Sequence, residues 1–218
     1  MKRIAIRKLV KPPRWGIVWF PEFSAQTAQA IVNIRQSFDP LAGVLPPHLW
    51  LVFPFAAHLN ATQLTAHIRR RTARWPQVPV VFSGIRNLKD EFVLLNARTG
   101  AASLVALHDR LYGGILAPYR RDDMDYLPHI TLARSADPRL STVRGTVDGP
   151  NDGSRRDSAG VSNDSRTIFA TALEMAEHTL SGEYRARLGH VSLLSLGGEG
   201  VHLSPHHRVT EVARIALG

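Results

Sequence analysis

The chain has no cysteine and no long apolar run, and these absences remove several classes of protein from consideration. Without cysteine there is no disulfide, no thiolate metal site and no cysteine nucleophile, although the compartment is not fixed by this. No apolar stretch approaches the ~18–20 residues that span a bilayer, and residues 1–10 lack the apolar core of a signal peptide. No Gly-x-Ser-x-Gly nucleophile motif is present either. We therefore expect a cytoplasmic protein that does not associate with membranes.

Lysine is scarce, whereas arginine is abundant. Arginine supplies 23 of the 27 basic residues, and the formal net charge is +9. Because the guanidinium group binds phosphate with two parallel hydrogen bonds, this balance favours polyanions such as nucleic acid as partners. A general preference for arginine on a solvated surface explains the composition equally well. Charge is therefore compatible with nucleic-acid binding but does not establish it.

Helical and strand patterns alternate along the 218 residues. Alternation and turn signals predict strands at 14–20, 49–55, 78–85, 91–96, from 128 or 129, 189–196 and 209–217. Helical periodicity and capping residues predict helices at 24–37, 60–74, 102–111 and 168–180. Hairpin pairs imply antiparallel neighbours, so the fold class is α+β. Residues 136–166 are rich in polar residues and glycine, which predicts a flexible insertion in a single domain spanning 1–218.

Two segments that lie 81 positions apart share one pattern. In each, a proline precedes a histidine (His48 and His129), and an apolar run with strand character follows. Side chains at i and i+2 of a strand share a face, so His48 points with Trp50 and His129 with Thr131. Two such half-sites would place two imidazoles in one cleft. This arrangement suits general acid–base chemistry, in which one ring takes a proton and the other gives one.

These motifs, in this strand order, resemble the two-histidine (2H) phosphoesterase superfamily, which contains 2′-5′ RNA ligase-like proteins and cyclic phosphodiesterases. The segment His129-Ile130-Thr131-Leu132 matches the His-x-Thr/Ser-x signature fully. The segment His48-Leu49-Trp50-Leu51 matches at the histidine and the apolar positions. The resemblance implies a bilobal fold of two pseudo-symmetric antiparallel-sheet lobes with outer helices and a central cleft. It covers residues 14–135 well.

The resemblance also implies a reaction: hydrolysis of 2′,3′-cyclic phosphates on RNA ends or small cyclic nucleotides, with 2′-5′ RNA ligation as the reverse. His48 and His129 would be the catalytic acid and base, in an order that the sequence leaves open. Thr131 would hold a phosphate oxygen. The scheme requires no metal and no cofactor, and the partner is RNA ends or a cyclic nucleotide, with no obligate protein partner evident.

Trp50 departs from the pattern, because it stands where the family has a hydroxyl. Its indole has one N–H donor on a bulky ring, so it would contact phosphate, stack on a base or fill the cleft. An RNA- or nucleotide-binding protein with weakened catalysis is therefore the alternative function. Arg134 is a further candidate for substrate binding. Strict alternation places it on the face opposite His129, where it would instead form a salt bridge between the lobes.

The remaining polar candidates receive structural interpretations. Arg35 and Asp39 would order the loop before the first motif, or Arg35 would reach the cleft. His67 and His108 lie in helical patterns and are predicted to be structural or superficial. The group of His202, His206 and His207 has metal-like spacing, but Pro205 argues against the helix that this spacing requires, so no metal site is predicted.

Overall fold

The computed structural model describes residues 11–89, 91–135, 163–197 and 205–218. The strands are β1 (Arg14–Trp19), β2 (Leu49–Ala56), β3 (Val78–Leu88), β4 (Phe92–Thr99), β5 (His129–Arg134), β6 (Tyr184–Leu188), β7 (His190–Leu196) and β8 (Val209–Ala216). The helices are α1 (Ala25–Phe38), α2 (Ala61–Thr72), α3 (Ala101–Leu111) and α4 (Asn163–Thr179), with a short 3-10 helix at Gly114–Tyr119. No helix in these ranges is long and apolar enough to cross a membrane.

The strands form two four-stranded antiparallel sheets. Sheet 1 has the order β2-β1-β7-β8, and sheet 2 has the order β5-β4-β3-β6. The edge strands β2 and β5 pack against each other where the two sheets meet. Each sheet buries one face under helices in a common apolar core and leaves the opposite face open. The α+β class and the bilobal arrangement predicted from the sequence are confirmed.

The helices begin where the sequence places capping residues. The Ser24 hydroxyl accepts a hydrogen bond from the backbone N–H of Thr27 at the start of α1. At α2, Asn60 and Gln63 form a capping box in which each side chain bonds the other residue's backbone N–H. These caps satisfy backbone donors that a helix start otherwise leaves without partners. The apolar stripes of both helices then pack into the core, with Ile31 and Leu64 fully buried.

Two features differ from the sequence prediction. Strand β6 was missed, because it has only five residues and two of them are exposed arginines, which weakens the apolar alternation. Helix α4 begins at Asn163, so the last four residues of the predicted insertion are helical. The rest of that insertion, residues 136–162, lies outside the described residues.

Candidate active site

The two motif histidines occupy equivalent places in the two sheets. His48 immediately precedes β2, and His129 is the first residue of β5. Both strands are sheet edges, and they are the two edges that pack together. His48 is 4% exposed, whereas His129 is partly exposed. The sequence motifs thus lie at one seam between the open faces of the sheets.

Each histidine ring is held by the same backbone hydrogen bond. Nδ1 of His48 lies 2.8 Å from the Pro46 carbonyl oxygen, and Nδ1 of His129 lies 2.6 Å from the Leu127 carbonyl oxygen. A carbonyl oxygen can only accept, so Nδ1 must be the protonated donor in both rings. Nε2 is left as the nitrogen that can take or give a proton. Equivalent tautomers in two half-sites are what a paired acid and base require.

Both imidazoles are neutral at pH 7. Burial, together with the nearby Arg35 guanidinium, lowers the pKa of His48 to about 3. Burial likewise lowers the pKa of His129 to about 4, with an additional contribution from Arg134. Since Arg134 acts on both rings, it lies within electrostatic reach of each half-site. A negative charge placed between the rings would favour protonation and reverse this shift.

A buried ion-pair network lies beside the histidines. The Asp39 carboxylate, whose side chain is 0% exposed, accepts hydrogen bonds from Arg35 at 2.8 and 3.1 Å and from Arg134 Nε at 3.1 Å. It also accepts a bond from the backbone N–H of Leu41. Arg35 donates its remaining bond to the Leu45 carbonyl. Arg35 and Asp39 therefore order the loop before His48, which is the first of the two alternatives that the sequence left open.

Arg134 lies on the same face as the second motif, so the opposite face predicted from strict alternation is wrong, although the predicted salt bridge is present, with Asp39 at 3.1 Å. Thr131 pairs with Leu94, but Ala133 pairs with Val93, so Leu132 is an extra residue in β5. This β-bulge reverses the alternation beyond it. Arg134 pairs with Phe92, and its guanidinium lies 5.5 Å from the Phe92 ring. Only its Nε bonds Asp39, so the two terminal nitrogens remain as donors.

The residues that follow the two histidines differ in size and surroundings. Thr131 is 9% exposed, and its hydroxyl forms no hydrogen bond within the part of the chain described here. Trp50 stands edge-on to His48, with ring centroids 5.0 Å apart. Its indole lies over Gly16 of the neighbouring strand, where an added Cβ would clash with the ring. Gly16 therefore makes the space that Trp50 occupies.

Trp50 is part of an apolar surface on the open face of sheet 1. It packs with Val18, Leu194 and Leu196, and Phe20 lies at the same patch with its ring 6.5 Å from His48. The aliphatic side chains are buried, and the partly exposed rings of Trp50 and Phe20 beside a histidine suit a nucleobase rather than a phosphate. The first half-site is therefore apolar where the second carries a hydroxyl and a guanidinium.

Three side chains satisfy the free backbone edge of β2, and sequence reasoning did not identify this role. The Tyr126 hydroxyl donates to the Trp50 carbonyl at 2.8 Å, and His108 Nδ1 donates to the Leu51 carbonyl at 2.9 Å. The Tyr112 hydroxyl accepts from the backbone N–H of Phe53. The Tyr126 and His108 rings stack with centroids 3.7 Å apart. Because Tyr126 lies three residues before His129, it ties the second motif to the first.

The other histidines take structural places. His67 is buried, and its Nε2 donates to the Leu111 carbonyl at 2.9 Å, which confirms a structural role together with the contact of His108. Arg14 Nη1 donates to His207 Nε2 at 3.1 Å. His202 lies outside the described residues. Within the described ranges, no three acidic or histidine side chains are grouped as metal ligands would be.

The fold and the site together define a two-lobed protein with one histidine motif on each lobe. The family model of the 2′-5′ RNA ligase superfamily matches residues 21–149, which is more than half of the chain. The chain therefore belongs to the 2′-5′ RNA ligase superfamily, the two-histidine phosphoesterases.

Individual relatives agree with this assignment. A Bacillus licheniformis protein that is named as a phosphoesterase is 27% identical over 139 residues, covering 62% of this chain and 79% of its own. A Geobacillus thermodenitrificans protein with the same type of name is 25% identical over 124 residues, covering 56% of this chain and 69% of its own. The crystal structure of Escherichia coli LigT with 3′-AMP aligns with a TM-score of 0.52 at 19% identity, covering 94% of this chain and 98% of LigT.

Proposed function

We propose that the protein is a metal-independent phosphoesterase that opens 2′,3′-cyclic phosphates on RNA ends or nucleotides. The observation that carries this proposal is the duplicated histidine geometry, in which each Nδ1 donates to a backbone carbonyl two residues earlier and each Nε2 is left to exchange protons. Membership in a phosphoesterase superfamily supports the reaction class. The LigT structures determined with 3′-AMP and with phosphate support a nucleotide phosphate as the ligand.

The proposed reaction uses both rings in one displacement at phosphorus. Nε2 of one histidine removes a proton from water as the water oxygen bonds to phosphorus. The bond from phosphorus to one ribose oxygen breaks, and Nε2–H of the other histidine protonates that oxygen. The product is a ribose carrying one free hydroxyl and a phosphomonoester. Run in reverse with a ribose hydroxyl in place of water, the same groups would join two RNA ends.

The substrate itself would prepare the acid. Burial lowers the pKa of His48 to about 3 and that of His129 to about 4, so neither ring is cationic at neutral pH before substrate arrives. A cyclic phosphodiester carries one negative charge, and this charge would raise both values towards neutrality. One proton shared by two rings then gives the acid and base forms that the reaction needs. Arg134 and the hydroxyl of Thr131 would hold the non-bridging oxygens.

A second candidate function is binding with weakened catalysis, and Trp50 is the observation that favours it. Its indole fills the position of the family's first hydroxyl and rests on the space left by Gly16. The phosphate would then be held from the second lobe alone. Losing one donor to a transition-state oxyanion typically lowers the rate by ~10²–10³. The present protein would remain a nucleotide-binding module with slow turnover.

Turnover of a nucleoside 2′,3′-cyclic monophosphate in the presence of EDTA separates these candidates. We expect a phosphomonoester product, detectable by phosphorus NMR, from the wild type. His129→Ala is expected to bind the nucleotide but to give no product. Binding without any turnover by the wild type would favour the second candidate. Turnover that EDTA abolishes would contradict a metal-independent reaction.

A further inference from the structure

The open faces of the two sheets differ in charge. On sheet 1 this face carries the apolar patch around Trp50 and, further out, Arg214 bonded to Glu211 at 3.0 Å. Sheet 2 carries four exposed arginines beyond the candidate site. We name this set the arginine track: Arg86, Arg98, Arg185 and Arg187.

Strand register places one member of the arginine track, Arg86, on the face of the second motif. Arg86 pairs with Leu94, which pairs with Thr131, and residues directly opposite in a sheet share a face. Arg98 is the extra residue at a bulge in β4, and its guanidinium lies beside Gly84 of β3. The track therefore continues outwards from the His129 side of the site.

The outer part of the track lies on β6. Arg185 pairs with Val81 and Arg187 with Pro79, both on the side of β3 away from the core residues Val80 and Phe82. The four strands of sheet 2 span three spacings of ~4.8 Å, which is ~14 Å from β5 to β6. This width suits a segment of a few nucleotides in a single strand.

The arginines of the track are available for a ligand. Of the four arginines in the track, only Arg185 forms an ion pair with a carboxylate among the described residues. Its partner is the exposed Glu183, at 3.6 Å. Arg98 lies along the sheet over Gly84, where an added Cβ would come within 3.2 Å of its Nη2. Gly84 has a φ of +77°, a conformation that a side chain would strain. The backbone thus leaves room for this guanidinium to lie flat on the sheet.

We propose that the arginine track binds the backbone phosphates of a single-stranded RNA whose cyclic-phosphate end lies between His48 and His129. This inference rests on the proposed function and narrows its substrate to an oligonucleotide. The track begins at the side of the site that carries Thr131 and Arg134, where the terminal phosphate would be held. Guanidinium groups recognise phosphates in pairs of hydrogen bonds, and successive phosphates of one strand provide the matching series of charges.

The test compares RNA length in two charge-matched variants. The track variant is Arg86→Gln/Arg98→Gln/Arg187→Gln. The control variant is Arg69→Gln/Arg70→Gln/Arg74→Gln, which removes three exposed arginines at the end of α2, on the helical side of the molecule. The probes are a fluorescein-labelled RNA octamer with a 3′-phosphate, measured by anisotropy between 50 and 200 mM salt, and 3′-AMP. Turnover of a nucleoside 2′,3′-cyclic monophosphate is measured for all three proteins.

The track variant is expected to bind the octamer about tenfold more weakly at 50 mM salt, with the slope of log affinity against log salt reduced by about 2. Its affinity for 3′-AMP and its turnover of the mononucleotide should stay within about twofold of wild type. The control variant should match wild type in every measurement.

Three results would overturn the inference. One is an unchanged octamer affinity in the track variant. Another is an equal loss in the control variant, which would mean that only total charge matters. The third is a wild type that binds the octamer no more tightly than 3′-AMP. If mononucleotide turnover persists in these cases, the proposed function stands. A wild type that neither binds nor turns over any probe overturns the proposed function and the track together.

Discussion

Asp39→Asn should cause a large loss of stability, because the Asp39 carboxylate is the only anion in a buried network with two arginines among the described residues. Its side chain is 0% exposed, and that of Arg35 is 2% exposed. The carboxylate accepts three side-chain hydrogen bonds and one backbone bond. An amide preserves the shape but removes the charge, which leaves Arg35 buried without a counter-ion. Breaking a buried pair in this way costs ~3–5 kcal/mol.

The assay is urea unfolding of the wild type and of two matched variants. Asp123→Asn is the control, because Asp123 likewise accepts two hydrogen bonds from one arginine, Arg121, but the two side chains are 51% and 39% exposed. Water screens an exposed pair, so this variant should unfold almost as the wild type does. A loss below about 1 kcal/mol for Asp39→Asn, or equal losses in the two variants, would refute the reasoning from burial.

Four further predictions concern the histidines and their surroundings. In NMR titrations of the free protein, the pKa of His48 should be about 3 and that of His129 about 4. Inorganic phosphate should raise at least one of these pKa values. Values near 6.5 without ligand would contradict the assigned burial. His48 is buried in its neutral form, so its contribution to the free energy of unfolding is fully present above pH ~6.5 and is lost as the pH falls. Urea unfolding should show a loss of about 2 kcal/mol at pH 5 from this residue. Trp50→Thr should open the space over Gly16 and introduce a hydroxyl, so that inorganic phosphate inhibits the variant at lower concentration than the wild type. Weaker nucleotide binding with unchanged inhibition by phosphate would instead identify the indole as a contact of the base. Tyr126→Phe removes the hydrogen bond to the backbone carbonyl of Trp50, so it should lower kcat more than it raises KM. It should also lower the free energy of unfolding by about 1–3 kcal/mol. The control variant Tyr119→Phe should change neither the kinetics nor the stability.

The sequence predicted the elements whose local signals agree with their final environment. Ser24 and Asn60 were identified as helix caps because a short polar side chain directly before a run with helical apolar spacing is the residue type preferred at a helix N-terminus. The paired histidine motifs were found because each repeats a proline, a histidine and a strand within a few residues. In both cases all the information lies within one element, so no knowledge of packing is needed.

The parts of the site that were missed depend on contacts between distant elements. The face of Arg134 was misassigned because one extra residue in β5 reverses the alternation, and a bulge depends on the pairing of two strands. Tyr126 and His108 were not recognised as partners of β2, since nothing in a loop tyrosine or a helical histidine identifies the carbonyl that it will meet. Gly16 did carry a usable signal, because a glycine inside a strand pattern often marks a close approach, here by Trp50.

The most direct test of the central claim is a double-mutant comparison of the two histidines on an RNA that ends in a 2′,3′-cyclic phosphate, with EDTA present. The proteins are the wild type, His48→Ala, His129→Ala and the variant carrying both changes. If the two rings act as one acid–base unit, each single change should lower kcat by at least ~10²–10⁴, and the double variant should be no slower than the worse single one. Substantial turnover in either single variant, or losses that add in the double variant, would contradict the two-histidine mechanism.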